Sequence, residues 1–323
     1  MSLQITKLSK RYADRWILKN VSFEAERGKI LGLFGASGSG KTTALKVIAG
    51  VEKSNGGTVS FVSKDLTNLS VDARDIHFSA PHPSFFSRLL KKDRAAQRSA
   101  GERAAATVEN AFASQTGVIL LDESFSSMDS FGKLEFRDKL RRLVKERGLT
   151  AVFATSNYEE VFMLCDAVAV LADGEIKQTG TPEQVYAEPR SYAVARMTGG
   201  NNLFEARRLT SSKAENPQFQ TLASEHRLVV EKMGLAGLGA INQNVWLGIR
   251  PEHISIAFGA SFPEDNLLKA TITGVQLLGS TTLVELDADG LILKALVLRL
   301  VGLNIGDECM LALPPQRIQV LKN

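Results

Sequence analysis

A glycine-rich segment at residues 35–42 constrains the fold of this chain more than any other part of the sequence. It reads Gly-Ala-Ser-Gly-Ser-Gly-Lys-Thr and fits the pattern G-x-x-x-x-G-K-[ST] in full. A short apolar run at residues 29–34 precedes it, and helical spacing at residues 41–49 follows it. The pattern requires this order, because the loop must leave a strand and enter a helix. The segment therefore predicts a strand–loop–helix unit that binds phosphate groups.

The residue types in this loop indicate the chemistry of the site. Glycines let the backbone curl until successive N–H groups point at phosphate oxygens, and the helix directs its positive end to the same place. Lys41 is expected to reach the β- and γ-phosphates, Thr42 to ligate Mg²⁺, and Thr43 to add a phosphate contact. The other loop residues expected at the nucleotide are Gly35, Ala36, Ser37, Gly38, Ser39 and Gly40.

Two carboxylates follow a second apolar run. Residues 118–121 are Val-Ile-Leu-Leu, and Asp122 and Glu123 come directly after them. Open α/β sheets bind ligands at the carboxyl ends of their strands, where these side chains would lie. Asp122 is predicted to hold Mg²⁺ through water, and Glu123 to polarise the attacking water as general base. Lys41, Asp122 and Glu123 are thus the predicted catalytic residues. The alternative is an acidic strand end without a function.

Patterning along the chain predicts two domains. The first 200 residues alternate strand-like and helix-like segments, which predicts an α/β domain with a largely parallel sheet. From residue 244 onward short strand-like runs follow one another, and Asp289-Gly290 between two of them is a hairpin signal. Such a series of short strands suits a small barrel. We expect a phosphate-binding domain at 1–200, a polar linker at 201–241 and a barrel at 242–323.

Composition excludes several other classes of protein. The chain has 323 residues, of which 44% are apolar and 23% charged, as in ordinary globular proteins. No run reaches the ~20 apolar residues that cross a bilayer, and the N-terminus lacks a signal-peptide pattern, so a cytosolic location is expected. Cys165 and Cys309 are far apart and predict neither a disulfide framework nor a metal cluster. The net charge of +4 does not single out nucleic acid.

Several segments resemble a known family, the ABC transporter ATPases. The run from Asp122 to Asp129 resembles their second nucleotide motif and the loop after it, and Arg11-Tyr12 with residues 17–23 resembles their N-terminal hairpin. Residues 174–176 and 180–186 resemble the end of the ATPase domain in importers. Residues 247–254 resemble the opening of the OB-like regulatory (TOBE) domain of sugar, polyamine, sulfate and ferric-iron importers.

This resemblance implies a P-loop ATPase domain followed by an OB-like TOBE domain. It implies a subunit that couples the binding and hydrolysis of MgATP to solute import, on the cytoplasmic face of the cell membrane. The implied partners are membrane permease subunits, a solute-binding protein, and a second copy or another ABC ATPase; nucleic acid is not among them. In the family, an aromatic residue at the position of Tyr12 stacks on adenine, although an ordinary hairpin aromatic is the alternative. Asp129 is implied to lie at the nucleotide.

Three family features are absent or altered between residues 78 and 105. Pro81-His82 replaces a glutamine that senses the γ-phosphate, and His82 could stand in for it. Residues 84–97 are all that remains of a helical subdomain that receives the permease. The signature loop reads Arg98-Ser99-Ala100-Gly101-Glu102, in which Ser99 and Gly101 match the family and are implied to bind nucleotide. A helix capping box formed by Ser99 and Glu102 is the alternative, and both interpretations can coexist.

A fourth position is changed in the run Ala154-Thr155-Ser156-Asn157. The family has a histidine where this chain has Ser156, and that histidine contacts the γ-phosphate and the attacking water. Serine donates one hydrogen bond but carries no positive charge. Losing one preorganised donor of this kind typically costs ~10²–10³ in rate. Ser156 is still expected at the nucleotide.

These departures leave two alternatives to a transport-coupled ATPase. The chain could be a degenerate subunit that binds ATP and regulates a partner with little or no turnover of its own. It could also be an ATPase that has lost its permease and acts on another partner. Asp122 and Glu123 favour the enzyme, whereas Pro81, Ala100 and Ser156 favour the regulatory subunit.

Overall fold

The computed structural model divides the chain into two compact units, Met1–Ala187 and Glu188–Asn323. Within them it describes residues 2–79, 105–106, 108–109, 117–125, 128–209, 216–231, 240–258, 265–298 and 302–321. Across these ranges, no helix has both the length and the apolar character needed to cross a membrane.

Strands and helices alternate along the first unit. The helices Lys41–Ala49 and Ser130–Arg147 each end at a glycine with a left-handed backbone, Gly50 (φ 82°) and Gly148 (φ 62°), a conformation that glycine adopts without steric cost. The elements in chain order are β1 (Ser2–Tyr12), β2 (Arg15–Glu26), β3 (Ile30–Phe34), α1 (Lys41–Ala49), β4 (Gly56–Phe61), β5 (Lys64–Asp65), β6 (Ile76–Ser79), β7 (Val118–Asp122), α2 (Ser130–Arg147), β8 (Thr150–Thr155), α3 (Tyr158–Leu164), β9 (Ala167–Ala172), β10 (Glu175–Gly180) and α4 (Pro182–Ala187).

The central sheet has the strand order β10-β9-β3-β8-β7-β6. The strands from β9 to β6 pair in parallel, and β10 pairs antiparallel with β9. Every residue of β3, β7 and β8 is buried. Burial on both faces explains why these strands are continuous apolar runs rather than alternating ones. The predicted α/β fold with a largely parallel core is confirmed, and the carboxyl ends of β3, β7 and β8 share one edge of the sheet.

A second, antiparallel sheet in the first unit has the order β2-β1-β4-β5. Its inward residues Leu3 and Ile5 pack in one cluster with Leu33 of β3 and with Leu45 and Ile48 of α1. The helix that follows the glycine-rich loop is therefore held in the core by both sheets. Because its buried face is aliphatic and closely packed, the loop at its N-terminus has a rigid support.

A buried arginine satisfies the C-terminal carbonyl groups of α1. Nη1 of Arg74 donates to the carbonyl oxygens of Val47 and Ile48, each at 2.8 Å. Its Nε and Nη2 donate to the carbonyl oxygens of Leu69 and Thr67. The last carbonyl groups of a helix lack intrahelical partners and carry the negative end of the dipole, so a guanidinium group at this end stabilises the helix in two ways.

The described part of the second unit is mainly antiparallel β structure. It forms two antiparallel sheets. Their inner faces contribute to one apolar core, and these half-barrel sheets agree with the predicted OB-like domain. The elements are α5 (Tyr192–Met197), β11 (Asn202–Arg208), β12 (Gln218–Thr221), β13 (Arg227–Val229), β14 (Asn244–Ile249), β15 (Ser255–Ala257), β16 (Asn266–Leu277), β17 (Thr281–Ala288), β18 (Leu291–Leu298), β19 (Glu308–Leu313) and β20 (Gln319–Leu321). The strand orders of the two sheets are β13-β12-β11-β14-β20 and β15-β19-β16-β17-β18.

The linker predicted at residues 201–241 is wrong over its described part. Strands β11, β12 and β13 lie there, and β11 pairs with β14, with Asn202 opposite Ile249. The second unit accordingly begins at Glu188 rather than near residue 200. Phe204 and Ala206 are the apolar residues that mark the core face of β11. Two apolar residues are too few to predict a strand from the sequence. The strand forms because β14 supplies its hydrogen-bond partners.

Replacing Arg74 with Met should lower the free energy of unfolding by about 2–4 kcal/mol, because buried carbonyl groups lose a charged donor. Urea unfolding followed by circular dichroism measures the change. The matched control is Arg27→Met, since Arg27 donates to the Gly148 carbonyl at the end of α2 but is exposed. Its expected cost is about 1 kcal/mol or less. Equal losses in the two variants would contradict the role assigned to the burial of Arg74.

Candidate nucleotide site

Glycines shape the loop between β3 and α1. Gly38 and Gly40 have φ values of 81° and 106°, in the left-handed region that favours glycine. A Cβ atom on Gly35 would lie 2.3 Å from the carbonyl oxygen of Leu171, so a larger residue would clash there. Gly40 is the N-cap of α1 and provides no side-chain hydrogen bond. The N–H groups at the start of α1 are therefore available to an anion such as phosphate.

Lys41 places an ammonium group inside this loop. The residue is only 4% exposed, and its Nζ donates to the carbonyl oxygens of Gly35 at 2.8 Å and Ala36 at 3.1 Å. The same Nζ lies 3.9 Å from Oε1 of Glu123. Burial lowers the pKa of Lys41, while the nearby carboxylates of Glu123 and Asp122 oppose that change. The loop and the two carboxylates thus converge on one cation.

Asp122, the last residue of β7, has a buried carboxylate. It is 1% exposed, and neither of its oxygens has a hydrogen-bond partner within the part of the chain that the structure describes. Burial raises the pKa of Asp122 to about 6; the nearby Thr42 hydroxyl lowers it, and the charge of Glu123 raises it further. A buried carboxylate without a partner is costly, and Mg²⁺ binds oxygen ligands of this kind. Asp122 and Thr42 therefore fit a divalent cation.

Glu123 lies where the chain leaves β7. Its φ of 46° is left-handed, and its backbone N–H donates to the carbonyl oxygen of Ala154 at 2.9 Å. A residue other than glycine in this conformation costs on the order of 1–3 kcal/mol, a strain that is common at functional sites. The side chain is partly exposed, in contrast to Asp122. Two adjacent carboxylates thus have different environments, one dry and one accessible to water.

Ser156 lies between the glycine-rich loop and these carboxylates. It comes directly after β8, the strand that lies between β3 and β7 in the sheet. Thr155 pairs with Phe34 at the end of β3, and Ala154 pairs with Asp122. Ser156 follows directly and is exposed. The sheet therefore brings a residue that is distant in sequence to the same edge as the predicted catalytic residues.

The backbone around Ser156 is anchored on both sides. Oγ1 of Thr155 donates to Glu160 at 2.6 Å and accepts from the N–H of Asn157 at 3.0 Å. The side chain of Asn157 caps α3. Glu160 is buried and forms an ion pair of 3.0 Å with Lys133 of α2. These contacts fix the loop without using the side chain of Ser156.

Tyr12 lies at the end of β1 with 45% of its surface exposed. Its hydroxyl donates to the carboxylate of Glu52, which follows α1 in the chain. Burial raises the pKa of Tyr12, the hydrogen bond to Glu52 raises it further, and the nearby Thr43 side chain opposes that rise. Tyr12 is therefore beside the helix that begins at the glycine-rich loop, and part of its ring is open to solvent.

Comparisons with known proteins agree with this geometry. A model of the ABC transporter family matches residues 18–89, and a model of the TOBE domain matches residues 247–321. The sulfate/thiosulfate import ATP-binding protein CysA of Bacillus cereus is 30% identical to this chain over 90% of it and 88% of that protein. The chain belongs to the ABC transporter family.

A second relative and a solved structure support the same assignment. The spermidine/putrescine import ATP-binding protein PotA of Haemophilus ducreyi is 30% identical, over 84% of this chain and 80% of that protein. The crystal structure of a nucleotide-free ATP-binding cassette from an ABC transporter has a TM-score of 0.53 at 19% identity. It covers 62% of this chain and 100% of the cassette, which shows the shared fold. The predicted ATPase of the importer type with a C-terminal TOBE domain is confirmed.

Some predicted site residues of this ABC ATPase lie outside the described residues. These are Ser99 and Gly101 of the signature loop, together with Pro81, His82 and the short helix expected at 84–97. Asp129 is described and is the N-cap of α2, where its Oδ1 accepts from the N–H of Gly132 at 2.7 Å. Its contact with nucleotide stays a prediction.

Sequence reasoning missed Glu52 and Glu160, two carboxylates that hold Tyr12 and Thr155 in place. Glu52 binds Tyr12, and Glu160 binds Thr155 and Lys133. Glu52 and Tyr12 are distant in sequence, so no local pattern links them. A weak signal existed for Glu160, because it lies on an otherwise apolar face of α3. An acidic residue in such a position is rarely buried without a partner.

Asp122→Asn should stabilise the ligand-free protein at pH 7. The pKa of Asp122 in the fold, about 6, lies above its ordinary value of 3.8. Ionisation of Asp122 therefore opposes folding, fully above about pH 6 and not at all below pH 3.8. The free energy of unfolding should rise by up to about 3 kcal/mol at pH 7, and this gain should shrink as the pH falls toward 4.

Urea unfolding at several pH values tests this expectation. Asp138→Asn, on the exposed side of α2, is the control and should change the free energy of unfolding by less than about 0.5 kcal/mol. A gain in Asp122→Asn that does not depend on pH would contradict the assigned cause.

Proposed function

We propose that this ABC ATPase binds MgATP at the edge formed by β3, β8 and β7 and couples ATP hydrolysis to solute import through a partner permease. The observation that carries the proposal is the convergence of three groups: the Lys41 ammonium, the dry carboxylate of Asp122 and the accessible carboxylate of Glu123. A regulatory subunit that only bound nucleotide would need Lys41 but would have no use for an accessible carboxylate beside it.

Lys41 and the loop backbone would bind the phosphates. The Nζ of Lys41 donates to neutral carbonyl oxygens of Gly35 and Ala36. Phosphate oxygens are charged acceptors and form stronger hydrogen bonds, so they would replace these carbonyls as partners. The left-handed glycines keep the loop open, and the N-terminus of α1 adds its positive end. The cradle therefore needs little rearrangement to bind nucleotide.

Asp122 and Thr42 would hold the metal ion. Mg²⁺ at that position supplies positive charge to the phosphate oxygens. Because a bound cation favours the ionised carboxylate, it would offset the cost of burying Asp122. This pair of oxygen ligands is the part of the site that fits Mg²⁺, and the remaining ligands would come from ATP and water.

Glu123 would orient the attacking water and accept its proton. A general base must be ionised and must reach the water, and the partly exposed position of Glu123 meets the second requirement. Ser156, which directly follows the neighbouring strand β8, would donate one hydrogen bond to the γ-phosphate. The predicted second half of the site is the Ser99 region of another ATPase subunit, so two copies or two related chains would enclose each ATP.

The transported solute is not selected by the residues described here. One relative is named for sulfate and thiosulfate, which are anions, and another for spermidine and putrescine, which are cations. Such opposite charges on similar ATPases indicate that the permease and a solute-binding protein choose the solute. We place the subunit at the cytoplasmic face of the membrane, bound through the permease.

Lys41→Ala and Glu123→Gln separate binding from hydrolysis. Lys41→Ala should weaken ATP binding by about 100-fold or more, since charge-assisted hydrogen bonds to phosphate are lost. Glu123→Gln should leave ATP affinity intact and lower the hydrolysis rate by about 10²–10⁴. Calorimetric titration and steady-state phosphate release measure the two quantities. The exposed Lys145→Ala on α2 is the control for Lys41. Unchanged affinity in Lys41→Ala would refute the site, and an unchanged rate in Glu123→Gln would remove Glu123 as the base.

Ser156→His should raise the rate of hydrolysis with little change in ATP affinity. Histidine would add a donor where negative charge develops in the transition state, which lowers the barrier but not the ground state. The gain should be smaller than the ~10²–10³ typical of one preorganised donor, because other family positions remain altered. Ser156→Ala is the control and should be slower than the natural chain. No gain with histidine and no loss with alanine would show that residue 156 does not reach the γ-phosphate.

A further inference from the structure

Glu52 connects Tyr12 to the helix that begins at the phosphate loop. Its carboxylate accepts the hydrogen bond from the Tyr12 hydroxyl. Nζ of Lys46, on α1, lies 3.6 Å from Oε1 of Glu52, and Nζ of Lys10, on β1, lies 3.7 Å from Oε2. Glu52 is 22% exposed, so these contacts are only partly screened by water. Oε1 thus interacts with α1, and Oε2 interacts with β1.

The backbone of Glu52 is fixed to α1. Its N–H donates to the carbonyl oxygen of Lys46 at 3.2 Å, just past the left-handed Gly50 that ends the helix. The end of β1 is fastened to the same segment, because the N–H of Arg11 donates to the side chain of Asn55 at 2.9 Å. Glu52 therefore occupies a defined position relative to the helix and to β1.

The Tyr12 ring has one face covered by a cation. Nζ of Lys10 lies 5.1 Å from the ring centroid and is itself held by the carbonyl oxygen of Lys53 at 2.8 Å. Tyr12 is 45% exposed, so part of the ring stays open to solvent. Because the hydroxyl is anchored by Glu52, the ring cannot turn freely about its side-chain bonds. A base that stacks there would meet a surface that is already oriented.

We propose that Glu52 is a positioning residue for nucleotide binding, which fixes the Tyr12 ring beside the helix that follows the glycine-rich loop so that the exposed part of the ring receives the adenine base. The proposal rests on the proposed binding of MgATP and on the stacking of adenine on Tyr12 that the resemblance to the family implies. Preorganisation of this kind raises affinity because less side-chain freedom is lost on binding. It acts on the base and not on the phosphates, which gives it a distinct signature.

The test compares ATP with inorganic tripolyphosphate, which lacks the base, on the full-length protein. Glu52→Ala should weaken ATP binding by about 3- to 10-fold and leave tripolyphosphate binding unchanged. Tyr12→Phe keeps the ring but loses the hydroxyl, so it should show a similar loss for ATP. The double variant should be no worse than either single one, because both remove the same contact. Glu52→Gln keeps an acceptor for the hydroxyl and should restore most of the affinity. The exposed Glu24→Ala on β2 is the matched control.

Two results would overturn the proposal. Equal losses for ATP and tripolyphosphate in Glu52→Ala would show that Glu52 acts on the phosphate loop through Lys46 instead of on Tyr12. Additive losses in the double variant would show that the two residues act independently. Tyr12→Ala tests the stacking itself. If this variant leaves ATP affinity unchanged, the base does not stack on Tyr12, and the role proposed for Glu52 fails with it. A loss in Tyr12→Ala without a loss in Glu52→Ala overturns the role of Glu52 alone.

Discussion

The ammonium group of Lys41 is buried, with only 4% of the residue exposed, and it is stabilised by the glycine-rich loop around it. Two carbonyl oxygens of the loop accept from its ammonium group, and Glu123 lies 3.9 Å away. These contacts require the sharp backbone turns at Gly38 and Gly40, which only glycine adopts easily. They also require α1 to be anchored. The aliphatic core holds its buried face, and Arg74 binds the carbonyl groups at its C-terminus. The cation, the loop and the helix therefore depend on one another.

The carboxylates beside Lys41 show how the fold accepts a cost at its site. Asp122 is buried without a hydrogen-bond partner among the described residues, and its pKa is raised to about 6 for that reason. Glu123 has a left-handed backbone that is unfavourable for its residue type. Neither feature stabilises the free protein. In the proposed function, a bound divalent cation would favour the ionised carboxylate and so offset the cost of burying Asp122.

The backbone position of Ser156 is set by contacts that other residues make. The backbone on either side is held by Thr155, Asn157 and the buried pair Glu160–Lys133. None of these contacts involves the side chain at position 156. The support of this loop therefore does not depend on which side chain stands at position 156.

Local patterns in the sequence determined the glycine-rich loop, the strand that carries Asp122 and Glu123, the parallel core and the β-rich C-terminal part. Each of these depends on residues that are adjacent in the chain: glycines that permit left-handed turns, and apolar runs that must be buried on both faces. The domain boundary was wrong, because β11 has few apolar residues and becomes a strand only by pairing with β14.

Tertiary structure alone decided the contacts between distant residues. Examples are the hydrogen bond from Tyr12 to Glu52, the guanidinium of Arg74 at the end of α1, and the ion pair between Lys133 and Glu160. A charged side chain has no periodic pattern that reveals its partner. Its partner is fixed by which elements the core brings together, and that depends on the packing of the whole unit.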